Sequence, residues 1–191
     1  MARPREFDQE AVLDRAMELF WTRGYERTSI QDLVEHTGVH RGSLYDTFGD
    51  KNQLFLTCLD RFRQHSKPLF RILDEPGPPK EVLERFFDKL IEHAMTDEKR
   101  GCMIANTAMD LGAVEPAVAM RIEAYTLDIE TIFYTFLLRA QKDGKIKSKH
   151  SLRELSRFLV NTRHGLYVMA KTAADRKPLQ DACKVALSIM V

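Results

Sequence analysis

The sequence predicts an all-α protein, on three observations. Apolar residues recur at i, i+3, i+4 and i+7 along most of the chain, glycine and proline fall between those periodic segments, and no segment alternates polarity long enough for a sheet strand. A first helix is expected over about residues 8–24, with Val12, Leu13, Ala16, Leu19 and Phe20 as its buried stripe and Trp21 and Tyr25 closing a small core. Thr28 with Gln31 three residues on reads as a capping box that starts a second, short helix, on which Ile30, Leu33 and Val34 share an apolar face. Gly38 supplies a sharp turn. Beyond it Leu44 and Phe48, four apart, bury a third helix against the second and leave Arg41, Gly42, Tyr45 and Asp46 outward. Two short helices around a glycine turn, the second with a polar outward face, are how a helix-turn-helix looks in sequence.

After Lys51 a longer helix is expected to carry Phe55, Leu59, Phe62 and Leu69 as far as Leu73, stopping at the proline-rich linker 75–79. Val82, Leu83, Phe86, Phe87, Leu90, Ile91 and Ala94 make the clearest amphipathic stripe, ending before Arg100 and Gly101, and a short helix over 102–111 follows. Pro116 sits in the first turn of the longest helix, which runs through Ile122, Tyr125, Ile129, Ile132, Phe136 and Leu137 until Gly144 ends it. Ser151 with Glu154 is a further capping box, starting a helix through Leu155, Leu159, Thr162, Leu166 and Met169; Pro178 opens a last helix with Leu179, Ala182, Ala186, Leu187 and Met190. Two domains are expected, residues 1–50 and 51–191.

At 191 residues, 44% hydrophobic and 30% charged, the chain has the composition of an ordinary soluble globular protein. No apolar run approaches a membrane span and the first residues lack a secretory apolar segment, so a cytoplasmic protein without a membrane partner is expected. Cys58, Cys102 and Cys183 are odd in number and widely spaced, which indicates neither a disulfide framework nor a zinc site. No metal or cofactor is expected: His36 and His40 are separated by the helix-breaking Gly38. There is no GxxxxGK[ST], HExxH, GxSxG or CxxC, so no enzyme is indicated. Charge runs against a nucleic-acid partner, since residues 1–51 hold seven Lys or Arg against ten Asp or Glu, a net of −3. Placement outweighs the count: Arg3 and Arg5 lie on an N-terminal arm, Arg41 on the outward helix face and Lys51 at a helix start.

Thr28, Ser29, Gly38, Val39, Gly42, Leu44, Tyr45, Phe48 and Lys51 together resemble the DNA-binding region of the TetR family of bacterial transcriptional regulators. The resemblance covers roughly the first quarter of the chain, with departures at His40, Asp46 and Thr47. It implies a three-helix DNA-binding domain joined to a larger helical domain for ligand binding and dimerisation. The implied function is a ligand-responsive regulator, expected to act as a repressor and to bind a palindromic double-stranded operator as a homodimer through its last two long helices. DNA contacts are expected from Gln31, His40, Arg41, Gly42, Ser43, Tyr45, Thr47 and Lys51. Asp46 is expected to orient Arg41.

In the larger domain Asn106, Asn161 and His164 place polar groups on apolar helices and are candidates for lining the site of a small-molecule inducer. Cys102, following Gly101 at a helix start, is a candidate sensor thiol, with Lys171 as the candidate cation beside it. The alternative reading is an all-α thiol enzyme or small-ligand carrier using Cys102.

Overall fold

Asp8 caps the first helix: its carboxylate accepts the N–H groups of Glu10 and Ala11 at 3.0 and 3.2 Å, and α1 (Gln9–Arg23) begins there. The structure, a computed structural model, describes residues 7–96, 99–146 and 148–188, so Arg3, Arg5 and Met190 lie outside the described residues. Among the described residues all regular structure is helical, as the periodicity requires.

The first of two compact units comprises α1, α2 (Ile30–Thr37), α3 (Arg41–Phe48) and α4 (Lys51–His65), with Asn106–Arg121 joining them. The expected α1 stripe is buried, with Met17 added to it, and faces α4 and α2. Aromatic rings close the contact: Phe20 meets Phe55 edge-on at 5.0 Å between centroids, Tyr25 meets Phe55 at 4.8 Å, and Trp21 meets Phe62 at 5.0 Å. Arg61 on α4 grips Asp14 on α1 with two bonds, 2.6 and 2.8 Å, and also pairs with Glu10.

One expectation about α2 is corrected. Its cap is Ser29, not Thr28, and the reciprocal partner is Asp32, not Gln31: the Ser29 hydroxyl accepts the Asp32 N–H at 3.1 Å and the Asp32 carboxylate accepts the Ser29 N–H at 2.8 Å. Thr28 is buried and its hydroxyl donates to the Gly24 carbonyl at 2.7 Å, closing the end of α1. With that hydroxyl committed backwards, the neighbouring serine caps the next helix.

The second unit comprises Ser66–Ala105 and the chain from Ile122 onward. The helix expected to reach Leu73 ends at His65 and restarts as α5 (Lys67–Phe70), followed by a 3-10 turn, Arg71–Asp74. Pro68 explains the break, because it has no N–H to continue the ladder and its ring crowds the carbonyl four residues back. α6 (Pro79–Thr96) buries all seven residues of its expected stripe and packs on α9 (Leu152–Ala170) and α10 (Lys177–Ser188). Phe86 stands at the centre, with Phe70 and Phe133 at 5.4 Å and Phe87 at 5.1 Å. The Ser151–Glu154 capping box is present as expected. α8 (Pro116–Lys142) is tied to α9 by Glu130, which accepts from Arg153 at 2.8 Å and Arg157 at 3.2 Å. Met169 and Ala182 are exposed where their stripes anticipated burial, and Phe133 is buried without having been anticipated.

The expected division at residue 50 followed the motif; packing divides the chain differently. α4 joins the first unit because its apolar face covers α1, and α7 (Met103–Leu111) and α8 each contribute residues to both units.

Two stability measurements check this description. Phe86→Ala should lower unfolding free energy by about 3–5 kcal/mol in urea titration, since the ring is wholly enclosed by other apolar groups. Ser29→Ala should cost about 1 kcal/mol while Gln31→Ala stays within roughly 0.5 kcal/mol; the reverse order would return the cap to the Thr28–Gln31 pair.

Candidate nucleic-acid interface

The turn between α2 and α3 is held from three sides. Gly38 adopts the left-handed conformation at φ +73°, and a side chain there would meet nothing within 4 Å, so the demand for glycine is one of backbone conformation alone. Thr37, buried, donates to the Leu33 carbonyl at 2.6 Å and accepts the Val39 N–H at 3.3 Å. Arg15 on α1 donates to the Thr37 carbonyl at 3.2 Å. Leu33 and Leu44 are buried on the inner faces of the two helices, which fixes the outward face of α3 by its 3.6-residue period.

On that face Arg41 and Gly42 are exposed, and Ser43, Tyr45 and Thr47 are half-buried. His40 is exposed at the N-cap of α3 and its side chain makes no capping bond, so the first amides of α3 have no side-chain acceptor from it. The Arg41 guanidinium lies over the Tyr45 ring, 5.0 Å from its centroid. Asp46 is exposed and forms no ion pair with Arg41; the residue one turn along, Tyr45, sets the arginine's direction instead. Lys51, at the start of α4, holds its ammonium 4.2 Å from the centre of the Tyr25 ring. Gln31 is exposed on α2 and donates to Glu35 at 2.8 Å, one turn along its own helix.

The acidic excess of this region is partly neutralised by pairing. Asp32 bonds Arg23 at 2.6 Å, and hydrogen bonds from Ser29, with Arg23 adding to them, hold its carboxyl below the usual range. Asp14 and Glu10 are bound by Arg61, whose hydrogen bonds lower the Asp14 carboxyl in the same way. Arg61 lies ten residues beyond the segment whose charge was counted, so the sequence tally could not include it.

The candidates in the larger domain separate. Cys102 is buried immediately before α7, within hydrogen-bonding reach of the Arg163 guanidinium. Gly101, at φ +72°, admits the stem of Lys171: a side chain on Gly101 would come within 3.2 Å of Lys171 Cδ and 3.3 Å of the Tyr167 carbonyl. Lys171 is the C-cap of α9 and is exposed. His164 is half-buried on α9, and its Nδ1 is buried without a hydrogen-bond partner. Asn106 is half-buried one turn into α7. Asn161 is exposed and donates to the Arg157 carbonyl of its own helix at 2.9 Å. Cys58 and Cys183 are core residues, and burial pushes both thiols well above their ordinary range. Among the described residues no group of three potential metal ligands assembles, and no helix is long and apolar enough to cross a membrane.

Sequence reasoning passed over Arg163, the largest fully buried side chain among the described residues. The signal was its spacing: Leu159, Arg163, Leu166 and Ala170 are one buried stripe, with an arginine where an apolar residue belongs.

A turn-linked pair of short helices, packed on two longer ones and presenting arginine, tyrosine and hydroxyl groups outward, defines a helix-turn-helix DNA-binding class. The chain belongs to the TetR family: a family model described as bacterial regulatory proteins, tetR family, matches residues 12–58, and one described as tetracyclin repressor-like, C-terminal domain, matches residues 79–186. It is 37% identical to the uncharacterised HTH-type transcriptional regulator YezE of Bacillus subtilis (strain 168), covering the whole of both chains. It is 30% identical to the HTH-type transcriptional repressor ComR of Escherichia coli (strain K12), over 98% of this chain and 90% of ComR. Among solved structures it matches a cysteine mutant of the TetR family regulator CifR in complex with 26-base-pair operator DNA, with a TM-score of 0.87 and 29% identity over the whole of both chains.

His164 yields a pH prediction. Burial first, and the charge of Arg163 second, push its pKa down to about 4 from 6.5. Between those values the unfolded chain binds the proton and the folded one does not, so stability falls as pH drops from 6.5 towards 4. The loss assigned to this residue is on the order of 2–3 kcal/mol. Urea midpoints measured at pH 7, 6, 5 and 4 should show it, and His164→Asn should flatten that part of the profile.

Proposed function

We propose that the chain is a ligand-responsive transcriptional repressor that binds a palindromic operator as a homodimer in the cytoplasm, α3 entering the major groove. The observation that carries this reading is the exposed Arg41–Tyr45 face of α3, held by the Gly38 turn on the buried α1–α4 core. Arg41 reads a base edge, with Tyr45 holding its direction. Gly42 lets the backbone approach the groove, His40, Ser43 and Thr47 meet the sugar-phosphate backbone, and Gln31 lies at the edge of the footprint. Lys51 contacts a phosphate. ComR and the DNA-bound CifR complex, a repressor and a regulator on its operator, support the assignment. The family is one of regulators, and we read this member as a regulator and not a thiol enzyme or carrier.

Dimerisation through α9 and α10 is supported by apolar groups left on their outer faces. Phe158 and Met169 on α9 are 41% and 60% exposed, and Val185 on α10 is 69% exposed. Phe158, Asn161, Gly165 and Met169 fall on one face of α9, and a side chain at Gly165 would meet nothing within 4 Å, so this face leaves room for a second helix. Asn161 thus stands on the proposed subunit interface and not on an internal ligand site. A ligand of the larger domain, with His164 as a candidate lining residue, releases DNA only by binding one separation of the two reading heads better than another. A second reading of the sensing step makes Cys102 a sensor thiol: the Lys171 stem lies against Gly101, its neighbour in the chain, and the thiol itself is buried within hydrogen-bonding reach of the Arg163 guanidinium.

Operator binding is tested by fluorescence anisotropy with a fragment from upstream of the chain's own gene, at several salt concentrations. Arg41→Ala should lose about 1–3 kcal/mol of specific binding and relax preference at one base position. Lys51→Ala should weaken binding to all sequences and lower the salt slope by about 1. Wild-type affinity in Arg41→Ala would remove α3 from the groove. Sedimentation should give a dimer that deletion of residues 178–191 disrupts. Operator release by N-ethylmaleimide in the wild type but not in Cys102→Ser would establish the thiol reading, and equal release in both would end it.

A further inference from the structure

A guanidinium cannot lose its charge to suit its surroundings, so one placed in the core must find partners there. Arg163 is 1% exposed; its Nη2 donates to the Tyr125 hydroxyl at 2.9 Å and the Cys102 thiol lies within hydrogen-bonding reach of the guanidinium, while Nε and Nη1 are buried with no hydrogen-bond partner. Its flat face is covered by rings, with Tyr167 at 4.8 Å, Phe70 at 5.6 Å and Tyr125 at 5.7 Å from the centroids. Among the described residues the groups that favour its charge are the phenols of Tyr125 and Tyr167 and the Cys102 thiol, all ordinarily neutral, and none is a carboxylate. Other buried or half-buried charges in the chain are handled differently: Glu130 has two arginines, and Asp14 has the two-pronged Arg61.

An uncompensated buried cation is costly, and replacement by an apolar residue of similar size is commonly neutral or stabilising. Three aromatic faces recover part of that cost by cation–π attraction, but they leave the in-plane donors unused. Those donors lie along the edges where a planar oxyanion bonds a guanidinium. Tyr125 passes the polar contact on, donating to Ser66 Oγ at 3.2 Å. His164, next in sequence, is held neutral by burial and by this same cation, so it presents a neutral ring beside the charge.

We propose that Arg163 anchors a binding site for a small carboxylate with an apolar or aromatic body. The carboxylate pairs with the unused guanidinium donors, and Phe70, Tyr125 and Tyr167 enclose the body. This deepens the ligand-responsive reading given above and rests on it. Tyr167 is half-exposed and covers the guanidinium, so it is the side chain that gives way on entry.

The test is thermal unfolding of the full chain with acetate, hexanoate, benzoate and 4-hydroxybenzoate, each beside its uncharged amide at equal ionic strength. At least one carboxylate should raise Tm saturably, by about 2 °C or more at ~20 mM, with its amide giving no comparable rise. Arg163→Met should abolish the shift while leaving the ligand-free Tm equal to or above that of the wild type. If the Met variant does not fold, Arg163→Gln, which keeps a polar end without the charge, must show the same loss. The proposal is overturned if no carboxylate exceeds its amide, or if the shift survives removal of the charge. No DNA is used, so such a failure leaves the operator-binding reading standing on its own measurement.

Discussion

Helices of eight residues do not persist in water unaided, because one turn's nucleation cost is spread over too few hydrogen bonds. Both α2 and α3 have that length, so every feature of the reading head depends on the contact between α1 and α4. Phe20, Tyr25 and Phe55 fill that contact, Arg61 clamps it to Asp14, and Arg15 reaches from it to the Thr37 carbonyl in the turn. The direction of Arg41 is a consequence of packing between the helices on which α3 rests. Placing α4 with the reading head, and not with the domain that follows the motif, restates the same dependence in terms of chain organisation.

Charge is managed by position in both units. In the first, carboxylates that make the segment acidic are bound by arginines of other turns and helices, which leaves Arg41 and Lys51 paired with aromatic rings and not with acids. A ring holds a cation's direction without cancelling its charge, so these two remain able to attract phosphate or read a base. In the second unit the same ring contact serves a buried cation. Rings around Arg163 and the bond to Tyr125 satisfy it in part, and the remainder is available to a ligand.

The two proposed routes of regulation meet at one place in the second unit. Cys102 lies within hydrogen-bonding reach of the Arg163 guanidinium, and the Lys171 stem rests on Gly101, its neighbour in the chain. A carboxylate at the guanidinium and a modification of the thiol would both change the balance of charge around the same buried arginine. They differ in reversibility and in dependence on Cys102, and those properties separate them.

Much was determined by the sequence alone, wherever the physics is local. Helical period, the Gly38 turn, the Ser151–Glu154 cap and the seven-residue stripe of α6 follow from spacing and backbone preference, and each is present. The resemblance of the helix-turn-helix residues to one family rests on the same local spacing. Tertiary structure alone decided what depends on residues distant in the chain. Which of Thr28 and Ser29 caps α2 turned on a carbonyl of the preceding helix. The acidic count was offset by Arg61, 47 residues from Asp14, and Lys171 came to lie on Gly101, 70 residues away in the chain. Arg163 shows the division most plainly: one residue in an apolar stripe is visible in sequence, but whether its five N–H donors have partners is a property of everything packed around it.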